Sequence, residues 1–160
     1  MKRARKPSAT AHQTRRGTSP SMEQYIEAIA HLLVDDKVCS ISDIADVANV
    51  SRPAASRAVR DLADKELVEH RAYGYVDLTA KGRTLAERLA TRHETLYQFL
   101  SQVLEYDEKR ADAEACRLEH LMDDDTVARL GLLAEHIKAE ASLRRRWQVK
   151  LSAYRDKHGR

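Results

Sequence analysis

The residues best suited to chemistry in this 160-residue chain are gathered in Cys116-Arg-Leu-Glu119-His120. On a helix, spacings of three and four residues set the thiol, carboxylate and imidazole on one face. Sulfur, oxygen and nitrogen donors in that combination are metal ligands. Asp112, four residues before Cys116, shares the face. Gln24 and Glu27, three apart, offer further donors with His31 beyond them, and His93 interrupts an apolar stripe. Each residue also has a plainer reading. Cys116 fits a small buried hydrophobe, His93 a hydrogen-bonded core histidine, and Gln24 the capping-box partner of Ser21. His31 and Cys39 read as packing residues. Spacing alone leaves metal site and ordinary core both open.

A second group is basic. Ser51 has the character of an N-cap with Pro53 in the first turn, and Ala55, Val59 and Leu62 form the inward stripe of the helix that follows. Another helix start, Ser40-Ile-Ser-Asp43, precedes it, and Asn49 suits a left-handed turn between the two. Helix, short turn, helix is the helix-turn-helix pattern, whose second helix lies in the major groove. Arginine can bond bidentately to guanine, and small apolar groups can touch the thymine methyl. Arg57 is therefore the candidate base reader, with Arg52 and Arg60 on phosphates and Pro53 and Ala54 on methyl groups. Lys81 and Arg83 could add phosphate contacts. The plain alternative is a solvated helix in a three-helix bundle.

The elements that must hold both groups follow from periodicity. Ser19 and Pro20 open a first helix, with Met22, Tyr25, Ile26, Ile29, Leu32 and Leu33 as its stripe. After the helix-turn-helix, Leu67-Val68, the turn Ala72-Tyr73-Gly74 and Tyr75-Val76 with Leu78 suggest a two-stranded ribbon, a wing. Thr79 caps a long helix striped by Leu85, Leu89, His93, Leu96, Leu100 and Val103. Asp107 opens another helix running to about Met122, and Asp123 a third with Val127, Leu130, Ala134, Ile137 and Ala141 inward. At Arg144 the stripe breaks, so the last helix is expected to project or fray.

Charge is distributed unevenly. Residues 1–20 carry six Lys/Arg and no acid; residues 144–160 carry seven and one acid; the middle holds 15 basic and 24 acidic residues, giving a net +3. Basic ends on an acidic body point to a polyanion, nucleic acid ahead of membrane. No apolar run suits a membrane span, no signal peptide is visible, and two cysteines build no disulfide framework, so a cytoplasmic location is expected. Residues 1–18 read as a disordered basic arm.

Over residues 20–140 the chain resembles the diphtheria toxin repressor/manganese transport regulator (DtxR/MntR) family. The resemblance rests on Ser21-Met-Glu-Gln-Tyr-Ile-Glu27, Ser42-Asp-Ile-Ala45, Val50-Ser51, Leu67-Val68, Leu78-Thr-Ala-Lys-Gly82, Arg92-His93 and Glu114-Ala-Cys-Arg-Leu-Glu-His120. It implies a mainly α fold: an N-terminal winged helix-turn-helix followed by an all-helical dimerisation domain. The expected divisions are the arm at 1–18, the DNA-binding domain at 19–80, the metal-binding and dimerisation domain at 81–143, and a basic extension at 144–160. Longer members add an SH3-like domain, for which 160 residues leave no room.

The resemblance further implies a homodimeric, metal-dependent repressor of metal-uptake genes that binds inverted-repeat operator DNA, without membrane or catalysis. Its metal ligands map onto Gln24, Glu27, His93, Cys116, Glu119 and His120, and its base contacts onto Ser51, Pro53 and Arg57. Gln24 departs from the usual Asp or Met. Glu27 matches manganese-type members and Cys116 iron-type ones, while Tyr97 and Asp112 replace the Glu and His of a second site. Thiolate favours later, softer metals, which ranks Fe²⁺ slightly ahead of Mn²⁺, with Co²⁺, Ni²⁺ or Zn²⁺ as substitutes in vitro. Two rivals are a winged-helix regulator sensing an organic ligand or oxidant, with Cys116 as its candidate sensor, and a small metalloenzyme. Neither H-E-x-x-H nor G-x-S-x-G is present to support the latter.

Overall fold

The structure is a computed structural model that describes residues 22–34, 39–71 and 74–159. The basic arm, Ser19 to Ser21 and the wing residues Ala72 and Tyr73 lie outside them. The order is α1 (Met22–Leu32), β1 (Cys39–Ser40), α2 (Ile41–Val47), α3 (Arg52–Asp64), β2 (Val68–His70), β3 (Tyr75–Leu78), α4 (Ala80–Gln98), α5 (Glu108–Leu118), α6 (Asp124–Ala139) and α7 (Ala141–His158). A π-helical turn, Phe99–Val103, continues α4. No described helix is long and apolar enough to cross a membrane.

Side-chain caps start most of these helices, supplying acceptors to otherwise orphaned first-turn N–H groups. Ser40 and Asp43 form a reciprocal capping box on α2. Ser51, Thr79, Asp107 and Asp123 accept from the backbone N–H three residues on at α3, α4, α5 and α6. Asn49 takes a left-handed φ of 52° in the α2–α3 turn, where a short polar side chain tolerates it.

The wing is wider than the expected two strands. Its antiparallel order is β1-β3-β2, with Cys39 opposite Val76 and Val68 opposite Leu78. Where the wing meets α4 the backbones almost touch: a Cβ on Gly82 would stand 2.0 Å from the Leu67 carbonyl oxygen. Thr79 secures the junction, donating its hydroxyl to the Glu66 carbonyl at 2.6 Å.

Two apolar cores share one helix. Ile26, Ile29, Ile44, Val59, Leu62, Val76 and Leu89 are buried in the first; Leu96, Leu100, Ala111, Ala115 and Val127 are buried in the second. α4 contributes Leu89 to one and Leu96 to the other, so His93 falls at the seam. Burying each such leucine is worth roughly 1.5–3 kcal/mol, which ties the DNA-reading half to the helical half through a single rigid element.

The C-terminal region differs from expectation. The break falls at Glu140, between α6 and α7, rather than at Arg144. α7 buries no residue completely, yet it is anchored: Trp147 Nε1 donates to the Val103 carbonyl at 2.6 Å, and Arg155 pairs with Glu105.

Candidate metal centre and DNA-reading surface

Glu27 reaches the seam from α1, and Glu119 and His120 reach it from the turn that ends α5. Their ligand atoms lie within 4.8 Å of one another. Nε2 of His120 stands 3.5 Å from a Glu27 oxygen and 3.5 Å from a Glu119 oxygen. That nitrogen is buried and makes no hydrogen bond. An unsatisfied buried nitrogen is costly, and here it faces two carboxylates across a gap too long for a good hydrogen bond. A cation between them would satisfy all three groups, so the residues fit a divalent metal ion. Glu119 is only 2% exposed. Burial, then the neighbouring Glu119 charge, raises the Glu27 pKa above its ordinary 4.5. Two carboxylates crowded in a protected place favour a positive partner.

His93 and Cys116, two other expected ligands, lie outside this close group. His93 Nδ1 lies 3.0 Å from Glu119, and its Nε2 lies 3.4 Å from Asp112. Asp112 and Tyr97 flank His93 along an open groove of about 430 Å³. Cys116 is exposed, contrary to its reading as a buried hydrophobe. Burial of its thiol, then the charge of Glu119, raises its pKa. Gln24 is exposed on α1, and so is His31. Cys39 is fully buried, as its packing role requires.

Two contacts were not anticipated. Glu23 lies 3.2 Å from the far nitrogen of His120, Nδ1. Its place one turn before Glu27 on the same helix face was the available signal. Arg92 donates through Nη2 to the carbonyls of Glu119 and Met122, and its Nη1 lies 3.4 Å from Asp124. The guanidinium thereby bonds carbonyls of the turn that follows α5 and fixes the backbone that carries Glu119 and His120.

On the DNA-reading side, Ser51, Arg52, Pro53, Ala54, Arg57 and Arg60 are all exposed at or along α3, while Ala55, Val59 and Leu62 are buried. Arg60 Nε donates to the Ser56 carbonyl at 3.4 Å. Arg83 donates to Asp77, which also pairs with Arg71, so Arg83 is held at the wing. Lys81 donates to the Lys65 carbonyl at 2.9 Å.

A winged helix-turn-helix joined by one helix to a carboxylate–imidazole cluster defines a metal-responsive DNA-binding regulator. Residues 17–76 match the N-terminal DNA binding domain of the iron dependent repressors, and residues 79–145 match their metal binding and dimerisation domain. The HTH-type transcriptional regulator MntR of Bacillus velezensis is 32% identical over 125 residues, spanning 78% of this chain and 87% of the relative. Among solved structures, the manganese regulator SloR superposes with a TM-score of 0.65 at 33% identity, covering 74% of this chain and 55% of SloR. A manganese-dependent transcriptional repressor in complex with manganese gives 0.66 at 31%, covering 72% and 53%. The chain thus spans about half the length of these solved structures. It belongs to the iron-dependent repressor family, the DtxR/MntR metal-dependent transcriptional regulators, and is not an enzyme. Its domains provide for operator DNA, a divalent metal ion and a homodimer.

Proposed function

We propose that the protein represses metal-uptake genes in the cytoplasm as a homodimer bound to an inverted-repeat operator, with Mn²⁺ ahead of Fe²⁺ as its signal. The unpartnered Nε2 of His120, facing Glu27 and Glu119, carries this reading. Two carboxylates and one borderline imidazole form a harder donor set than one containing thiolate, and harder donors shift preference toward Mn²⁺. This reverses the order suggested by thiolate ligation. Glu27, Glu119 and His120 hold the ion. Cys116 stands at the edge and tunes metal preference, while His93 orients Glu119. Gln24, one turn from Glu27, supplies a neutral amide oxygen at most.

When bound, a divalent ion supplies the positive charge that offsets the two carboxylates. Glu27 belongs to the DNA-reading half and Glu119 and His120 to the dimerising half, so their shared engagement sets how far apart the two recognition helices stand. Half-sites one DNA turn apart, roughly 34 Å, demand one spacing. Arg57 reads a base, Arg52 and Arg60 hold phosphates, and Ser51, Pro53 and Ala54 seat the helix start against the groove. The proposed division after residue 80 falls at the start of α4, the helix that both halves share.

The test is binding of the full chain to its own upstream DNA with Mn²⁺, Fe²⁺, Zn²⁺ or chelator, for the wild type and His120→Ala. The reading expects metal to tighten wild-type binding by roughly 5–150-fold and to leave His120→Ala unchanged. Metal activation retained in a folded His120→Ala variant would refute the ligand assignment.

A further inference from the structure

We infer that Glu23 is a positioning residue for the metal centre: its carboxylate accepts a hydrogen bond from Nδ1–H of His120 and so aims a bare Nε2 at Glu27 and Glu119. The inference rests on the proposed metal reading and concerns a residue outside that ligand set. Three observations carry it. The Glu23 oxygen lies 3.2 Å from Nδ1. Nε2, on the other side of the ring, is buried and without a hydrogen bond. Glu27 and Glu119 oxygens lie 3.5 Å from that same Nε2.

An imidazole has two nitrogens and, when neutral, one proton between them. The hydrogen bond at one nitrogen decides which of them can ligate. Glu23 meets the other ring nitrogen and does not join the close group of ligand atoms formed by Glu27, Glu119 and His120. From there it holds the proton away from Nε2 and fixes the ring plane. Histidine ligands commonly carry such a carboxylate partner on their second nitrogen, and losing it costs about 10–100-fold in metal affinity. Glu23 sits on α1, one turn before Glu27. The helix that supplies one ligand therefore also orients another that lies 97 residues further along the chain.

The experiment uses the full chain as wild type, Glu23→Ala, Glu23→Gln and His120→Ala. Mn²⁺ affinity is measured by competition with a fluorescent chelator, without DNA. The tautomer of His120 is read from imidazole ¹⁵N shifts of metal-free protein. Glu23→Ala should weaken Mn²⁺ about 10–100-fold and move the ring proton toward Nε2. Glu23→Gln keeps an acceptor oxygen but not the charge, so it should retain most of the affinity and the Nδ1–H tautomer. Equal losses in Glu23→Gln and Glu23→Ala would show that Glu23 acts only as a negative charge, and would overturn the inference. Unchanged affinity and tautomer in Glu23→Ala would overturn it as well. Failure of the underlying reading looks different: wild type and His120→Ala would bind Mn²⁺ equally.

Discussion

Replacing Arg92 by methionine tests whether the metal-bearing turn is held from α4. The guanidinium side chain is 11% exposed and donates to the carbonyls of Glu119 and Met122. A hydrogen bond from a charged group contributes about 1.5–3 kcal/mol. Both carbonyls share one nitrogen, so the pair together is worth about 2–4 kcal/mol. The contact with Asp124, whose side chain is 56% exposed, adds about 0–1 kcal/mol. The buried, unpartnered Nε of Arg92 subtracts from the total. Methionine fills most of the volume, which leaves the lost carbonyl bonds as the main effect. A loss near 3 kcal/mol lowers Tm by about 6–12 °C in a chain of this size.

Urea unfolding of metal-free Arg92→Met and Asp124→Asn distinguishes the two contacts. Arg92→Met should cost about 2–4 kcal/mol and Asp124→Asn less than about 1 kcal/mol. Adding Mn²⁺ at a hundredfold excess over Kd should stabilise the wild type by about 2.7 kcal/mol. Arg92→Met should gain less, because the backbone carrying Glu119 and His120 is no longer seated. Equal costs for the two variants, or an undiminished metal gain, would refute this account of Arg92.

Three further outcomes follow from the same geometry. Glu27→Gln should raise the metal-free Tm at neutral pH while abolishing metal-activated DNA binding. The folded wild type holds the Glu27 proton more tightly than the unfolded chain does, so its stability falls as pH rises from 4.5 toward the raised value; thermal melts across that range should lose this decline in the variant. Arg57→Ala should relax base preference at one position per half-site by about 1–3 kcal/mol, whereas Arg60→Ala should weaken all sequences alike, as read by binding-site selection. Cys116→Glu should shift activation toward Mn²⁺ and away from Co²⁺, measured as the ratio of activating concentrations; an unchanged ratio would remove Cys116 from the site.

Much of the scaffold was legible because its signals are local. Ser40, Ser51, Thr79, Asp107 and Asp123 each cap the helix expected of them. The stripe Ala55, Val59 and Leu62 is buried as its spacing requires. β1 escaped notice because two residues show no alternation, and its pairing with β3 is made across the chain. The π-helical turn was hidden because Leu100 and Val103 continue the apolar stripe of α4. No glycine or proline marks the break at Glu140.

In the site, Glu119 and His120 could be read from one helix turn, and Glu27 entered as a separate donor. What joins them is tertiary. The contacts of Glu23 and Arg92 cross 97 and about 30 residues, and no periodicity reports such pairings. Cys116 shows the opposite limit: helical spacing puts it on the shared face, but spacing does not say how far a side chain stands from the ion's place.

The proposed function requires the cluster of Glu27, Glu119 and His120 to couple metal to DNA. Calorimetric titration of Mn²⁺ into the free protein and into its operator complex measures that coupling directly. Linkage requires DNA to tighten Mn²⁺ by the same factor by which Mn²⁺ tightens DNA, in the range of about 5–150-fold. Wild type should show a factor in that range and His120→Ala a factor near one. The same Mn²⁺ affinity with and without operator in the wild type would contradict it.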